Sequence, residues 1–418
     1  MTLQIDSARL QHEMDTLAGF TQVEQTGREG ERAVTRVVFS ADDLAARAWL
    51  KTLYAEAGLQ VREDAVGNTF VRWIGSDPTL AAVGTGSHID AIPHAGMYDG
   101  TLGVLGGLEA IRALQRAGVQ PRRSIELLML TSEEPTRFGI GCLGSRLIAG
   151  TLDPARADAM LGKDELSLAA VRETAGFSGT LDSVKLPAGY YSAWAELHIE
   201  QGPLLERDGI QIGVVTHIAA PASYRFTLEG FGGHAGALLM PYRRDALCAA
   251  SELILAVERA ALATGAIDTV ATTGTVKVYP GAVNSVPSRV DLELDVRDTD
   301  PVRREGVMEQ IRAAAADITA RRGVTVREEQ INADEPTTSD PAIIEAIEDA
   351  CATFGLTHQR MVSRAYHDST FMAHVAPVAM IFVPCRGGVS HKPDEFATVE
   401  AMTHGVQVLA ETLRTLAR

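Results

Sequence analysis

The sequence predicts an α/β fold interrupted by an inserted α+β unit. Three observations lead there. Apolar runs at residues 81–84 and 125–131 flank a segment, 101–114, in which Leu102, Leu105, Leu108 and Ile111 recur at spacing three. That is the pattern of strand, crossover helix and parallel strand. From about residue 213 to 332 the order becomes strand–helix–strand–strand–helix–strand, the split βαβ unit of ferredoxin-like folds. After 332 the first pattern resumes. The predicted organisation is a discontinuous α/β domain, residues 1–212 and 332–418, with 213–331 inserted.

Each element has its own signal. Residues 7–60 read as helical, with Leu10, Met14 and Leu17 on one face and a second helix over 42–58 that stops at Gly58. Residues 61–74 read as two short strands around the turn Val66-Gly67-Asn68. Residues 151–193 are turn-rich, with one short helix at 166–175. Residues 193–200 alternate as a strand. In the insert, strands are expected at 224–230, 269–279, 288–297 and 324–331, and helices at 244–265 and 303–322. A helix at 340–354, a compact apolar strand at 378–383 and a helix at 399–416 close the chain.

Composition narrows the class. The 418 residues suffice for two domains. The formal net charge of −16, with no Lys/Arg-rich run, argues against nucleic acid or an anionic membrane as partner. No apolar run approaches ~18 residues, and residues 1–6 read as no signal peptide. Four cysteines, Cys142, Cys248, Cys351 and Cys385, are scattered without paired spacing and fit a reducing cytoplasm.

The chemistry-bearing residues lie where predicted strands end. His88 and Asp90 follow the run at 81–84, Asp99 precedes the helix, and Glu133-Glu134 follows the run at 125–131. His198 sits at the end of the alternating strand. His391 follows the strand at 378–383 through a glycine-containing loop. Open α/β sheets bind ligands at that edge. Taken singly, Asp99-Gly100 also reads as a turn or cap, Glu133-Glu134 as a solvated pair and His198 as a buried strand histidine. Taken together, His88, Asp99, Glu134, His198 and His391 exceed what one tetrahedral zinc needs and suit two divalent ions sharing a carboxylate. Such a pair acidifies a water and polarises a carbonyl, which favours hydrolysis.

Six motifs then carry a resemblance over nearly the whole chain: Gly86-Ser87-His88-Ile89-Asp90, Tyr98-Asp99-Gly100, Glu133-Glu134, the run from Glu196 through His198 to Pro203, Gly233-His234-Ala235-Gly236, and Ser390-His391-Lys392-Pro393. In these the chain resembles the di-metal amidases that include N-carbamoyl-amino-acid hydrolases, allantoate amidohydrolases and ureidoglycolate amidohydrolases. The resemblance implies a two-metal, aminopeptidase-like catalytic domain with an inserted ferredoxin-like dimerisation domain. It also implies a cytoplasmic homodimer, a small-molecule ureido-acid substrate and two divalent ions, manganese or zinc. His88, Asp99 and His198 would hold one ion and Asp99, Glu134 and His391 the other. Asp90 would orient His88 as metal-bound histidines require. Glu133 would take the proton of the attacking water and pass it to the leaving nitrogen. Asn284 and Arg297 would grip a substrate carboxylate. Gln201 and His217 would line the pocket, and His234 would stabilise the oxyanion from across a dimer interface.

Within the family, Pro135-Thr136 and the run Tyr366-His367-Asp368-Ser369 resemble the ureidoglycolate amidohydrolases best known from plant purine breakdown. Tyr366 and His367 would contact the substrate. The expected reaction is hydrolysis of ureidoglycolate to glyoxylate, ammonia and carbon dioxide. The alternatives are an N-carbamoyl-L-amino-acid or allantoate amidohydrolase and, more remotely, a catalytically silent binding protein of the same fold.

Overall fold

The structure is a computed structural model that describes residues 3–23 and 32–418. The chain forms two compact units. One comprises the chain through Thr216, Thr338–Met361 and His367–Arg418, and the other His217–Thr337 with Val362–Tyr366. The boundaries therefore lie at Thr216 and Thr337 rather than at 212 and 331. The reason is strand pairing. Ile212–Ile218 pairs antiparallel with Val378–Val383, which holds Gly213–Thr216 in the first unit.

The first unit is organised around a nine-stranded sheet. Its centre is parallel: Ile125–Leu130, Ala82–His88, Tyr191–Ile199 and Val378–Val383 lie side by side in that order. Thr69–Trp73 and Gln60–Glu63 extend one side antiparallel, and Ile212–Ile218 the other. The parallel strands are buried along almost their whole length, which explains their unbroken apolar runs. Because they run the same way, His88, Thr131, His198 and Val383 all come to one edge.

Three helices show how local sequence sets this frame. Thr101–Arg116 is buried from Thr101 to Leu114, so its small residues Gly103, Gly106 and Gly107 face packed neighbours rather than water. Pro341–Phe354 starts at Asp340, whose carboxylate accepts the Ala342 and Ile343 N–H groups, and ends at the left-handed Gly355. Val399–Leu416 buries Met402, Val406, Leu409 and Leu413, which recur at helical spacing. The N-terminal region differs from expectation. Ser7–Ala18 and Ala41–Glu56 are helices, but Val34–Arg36 between them is a strand paired with Ala91–Ala95.

The second unit is a four-stranded antiparallel sheet in the order Val270–Tyr279, Arg289–Asp298, Ala220–Glu229, Thr325–Ala333. Helices Ala246–Ala263 and Pro301–Arg322 pack on it through Leu253, Val257, Met308 and Ile311 against Tyr224, Phe226, Leu292 and Leu294. This is the ferredoxin-like arrangement. Alternation in Ala220–Glu229, with Ala222, Tyr224, Phe226 and Leu228 buried, sets its register.

Candidate active site

His88 is the last residue of its strand and is 2 % exposed. Its Nδ1 lies 3.0 Å from the backbone carbonyl of Asp90, which takes that proton and turns Nε2 toward Asp99 and Glu133, at 3.6 and 3.7 Å. The carboxylate of Asp90 stands 3.8 Å from Nδ1, past hydrogen-bond reach. It instead accepts the backbone N–H groups of Glu133 and Glu134 at 3.2 and 3.0 Å. The Asp90 carbonyl therefore faces the histidine, while its carboxylate seats the glutamate pair.

Asp99 lies on the loop before the long helix. Gly100, at φ 68°, lets that loop turn beneath the imidazole of His88; a Cβ there would lie 2.3 Å from Nε2. His198 Nδ1 faces the carbonyl of Ile199 at 2.9 Å, leaving Nε2 to approach Asp99 Oδ1 at 3.3 Å. His391 approaches from the C-terminal segment, its Nε2 lying 3.2 Å from Asp99 Oδ2 and 3.4 Å from Glu134 Oε1. Ser132, Cys142, Gln201 and His391 all hold left-handed backbone conformations. Strained non-glycine backbone collects at functional sites because the surroundings must enforce it.

Ligand atoms of His88, Asp99 and His198 lie within 4.8 Å of one another, and so do those of Asp99, Glu134 and His391. Asp99 belongs to both groups. Two donors about 2.0–2.2 Å from one tetrahedral ion lie roughly 3.3 Å apart, and the Asp99 contacts with His198 and His391 are of that length. Imidazole and carboxylate donors suit zinc, manganese and similar divalent ions. A further group, Glu196, His198 and His367, also converges. In it the Glu196 oxygens already accept the hydroxyls of Ser87 and Ser369.

Electrostatics agree with a site built for cations. Burial pushes the Asp99 carboxyl up, but the imidazoles of His198, His391 and His88 gathered around it outweigh burial and hold it well below the usual range. Burial depresses His88, yet the charges of Glu133, Asp90 and Asp99 drive it well above an ordinary imidazole. The hydrogen bond to Asp99 raises His391 to about 9. Burial, then the charge of Asp99, raises Glu134 to about 7. Burial likewise raises Glu133 well above an ordinary glutamate. The carboxylates hold positive charge wherever they find it.

Glu133 lies outside both donor groups. The Cys142 thiol points at its Oε1 at 3.5 Å. The Gln201 amide donates to Asp99 Oδ2 at 2.7 Å, so it touches a candidate ligand directly. His367 is buried edge-on against His198, ring centroids 4.6 Å apart. In the second unit, His234 is exposed, and the Ala235 N–H beside it donates to the Asn284 carbonyl at 2.9 Å. His217 is half-buried. Arg297 is held by Asp295 through Nε and Nη2 at 2.8 and 3.0 Å. The Tyr366 hydroxyl donates to Asp334 at 2.8 Å.

Sequence reasoning assigned no role to Glu196, Asp368 and Glu395, all of them buried. A signal existed for Glu196, which shares a strand face with His198 at period two. None existed for Glu395.

Residues 84–415 match the model of peptidase family M20/M25/M40. The "Ureidoglycolate hydrolase" of Arabidopsis thaliana is 49% identical, covering 99% of this chain and 87% of the relative. The "N-carbamoyl-L-amino acid amidohydrolase" of Geobacillus stearothermophilus is 38% identical over 94% and 96%. The crystal structure of AtUAH in complex with glyoxylate superposes with a TM-score of 0.89 at 48% identity, over 99% of this chain and 98% of that one. With the donor groups lying inside the matched span and the relatives aligned over nearly the full length, the chain belongs to peptidase family M20/M25/M40.

Proposed function

We propose that this protein is a two-metal amidohydrolase that hydrolyses a ureido C–N bond, with (S)-ureidoglycolate as its substrate. The observation that carries the reaction class is the membership of Asp99 in both donor groups, with Glu133 beside them and outside both. When bound, two divalent ions would acidify a water and polarise the ureido carbonyl, with His88, Asp99 and His198 around one and Asp99, Glu134 and His391 around the other. Glu133 takes the water's proton and returns it to the leaving nitrogen. A buried carboxylate with raised proton affinity suits that exchange. Asp90 holds the backbone of both glutamates, so Glu133 and Glu134 keep separate tasks. Overall, ureidoglycolate and one water yield glyoxylate, carbon dioxide and two ammonia.

Arg297 and Asn284 are assigned to the substrate carboxylate, with the guanidinium already oriented by Asp295. Gln201, His217, Tyr366 and His367 are assigned to the pocket. His234 is assigned to the oxyanion, acting from the partner of a homodimer formed through the inserted unit. Manganese is the expected metal, ahead of zinc, and the cytoplasm the expected compartment. Among the described residues no helix is long and apolar enough to cross a membrane.

The choice of ureidoglycolate rests on the higher identity to the ureidoglycolate hydrolase than to the carbamoylase, 49% against 38%, and on the Tyr366-His367 variant of the family motif. The test is kcat/KM with manganese on ureidoglycolate, allantoate, ureidoglycine and N-carbamoyl-L-amino acids. A tenfold preference for any N-carbamoyl-L-amino acid, about 1.4 kcal/mol in transition-state binding, would replace ureidoglycolate as the substrate.

A further inference from the structure

Glu395 is 1 % exposed and nearly 300 residues from the loop it touches. Its Oε1 accepts two successive backbone N–H groups, from Tyr98 at 2.8 Å and Asp99 at 3.1 Å. Its Oε2 meets the Ser390 hydroxyl at 2.8 Å. That hydroxyl is also 2.9 Å from Asp99 Oδ2. The side chain lies flat against Gly96, where a Cβ would come within 2.3 Å of Glu395 Cβ, so the two segments meet with no room for a larger residue. Glu395 closes on its own loop too, its N–H donating to the Lys392 carbonyl at 3.1 Å.

We infer that Glu395 is a positioning residue, which clamps the loop carrying Asp99 to the loop carrying His391 and so fixes the carboxylate that both metal sites share. The inference rests on the two-metal reading. Asp99 must present Oδ1 toward His88 and His198 and Oδ2 toward His391 at once, which allows little rotation about its side chain. Its backbone N–H is pinned by Glu395, and the Ser390 hydroxyl, with one proton to give, sits between its Oδ2 and Glu395 Oε2. His391 neighbours Ser390 and has a left-handed backbone that the short loop must enforce. One buried carboxylate therefore governs the distance between the shared ligand and a ligand of one site. Groups that orient metal ligands typically change metal affinity about 10- to 100-fold when removed.

The experiment compares Glu395→Ala, Glu395→Gln and Ser390→Ala with the wild type. It reads manganese stoichiometry and affinity by calorimetry, folding of the metal-free form by circular dichroism, and kcat and KM separately. Wild type that binds no divalent ion would remove the two-metal reading itself, before any variant is considered. Given wild-type binding of two ions, Glu395→Ala should weaken both about 10- to 100-fold, because Asp99 serves both. Glu395→Gln should restore affinity to within about threefold. Its amide oxygen still accepts the Tyr98 and Asp99 N–H groups, and its NH₂ donates to Ser390, which then donates to Asp99. The loss in kcat should exceed any change in KM. If Glu395→Ala does not fold, Ser390→Ala decides: weakened binding of both ions in a folded protein supports the clamp. Wild-type affinity in either alanine variant, or equal loss in Glu395→Gln and Glu395→Ala, would overturn it.

Discussion

The carboxylate of Asp90 seats the backbone of Glu134, accepting its N–H at 3.0 Å while taking that of Glu133 with its other oxygen. One side chain at the end of one parallel strand thus aims the residues at the end of the next. Asp90→Ala should lower kcat by at least about 10-fold, since each lost charge-assisted hydrogen bond is worth about 1.5–3 kcal/mol, or roughly 10- to 150-fold. His88 should keep its orientation, because the Asp90 carbonyl survives the substitution. Unchanged kcat would refute the seating role.

Asp99→Asn should abolish turnover and weaken retention of both ions. An amide presents one acceptor oxygen where the carboxylate presents two. Metal analysis after gel filtration, with steady-state rates, checks this; near-normal activity would rule out a shared ligand.

Glu133→Gln should keep the metals and lose about two to four orders of magnitude in kcat, the usual worth of a positioned base. The measurement is metal content beside kcat. Loss of metal instead would mean that Glu133 and Glu134 exchange roles.

The proposed action of His234 in the partner's site predicts complementation. A His234→Ala dimer and a Glu133→Gln dimer, each inactive, should regain part of the activity when subunits exchange. The mixed dimer holds one site with both residues intact. Rates that stay at background in demonstrated heterodimers would exclude action across the interface.

Stability should respond to Asp64. Burial raises its carboxyl to about 6, against hydrogen bonds from Asn68 and the backbone of Val66. The folded pKa lies above the unfolded one, so the folded state binds the proton more tightly. The contribution is full below the unfolded value near 4 and is lost as pH rises through about 6. Measured against Asp64→Asn by thermal unfolding from pH 4 to 7, wild type should lose up to about 3 kcal/mol of relative stability. A flat difference would contradict the shift.

The sequence determined by itself what depends on neighbours along the chain. Periodicity marked the helix Thr101–Arg116, the strand Tyr191–Ile199 that carries His198, and the order of strands and helices in the inserted unit. Motif spacing picked out His88, Asp99, Glu134, His198 and His391, because the ends of parallel strands and the loops that follow them are carried to a common edge. Only the tertiary structure decided which atom of Asp90 orients His88, a matter of 3.0 against 3.8 Å that no spacing encodes. It alone brought Glu395 onto the N–H groups of Tyr98 and Asp99. It also moved the unit boundary to Thr216, through pairing with a strand more than 160 residues away. The physical reason is range: local periodicity follows from backbone geometry within a few residues, whereas a buried hydrogen bond depends on where distant segments are packed to within a few tenths of an ångström.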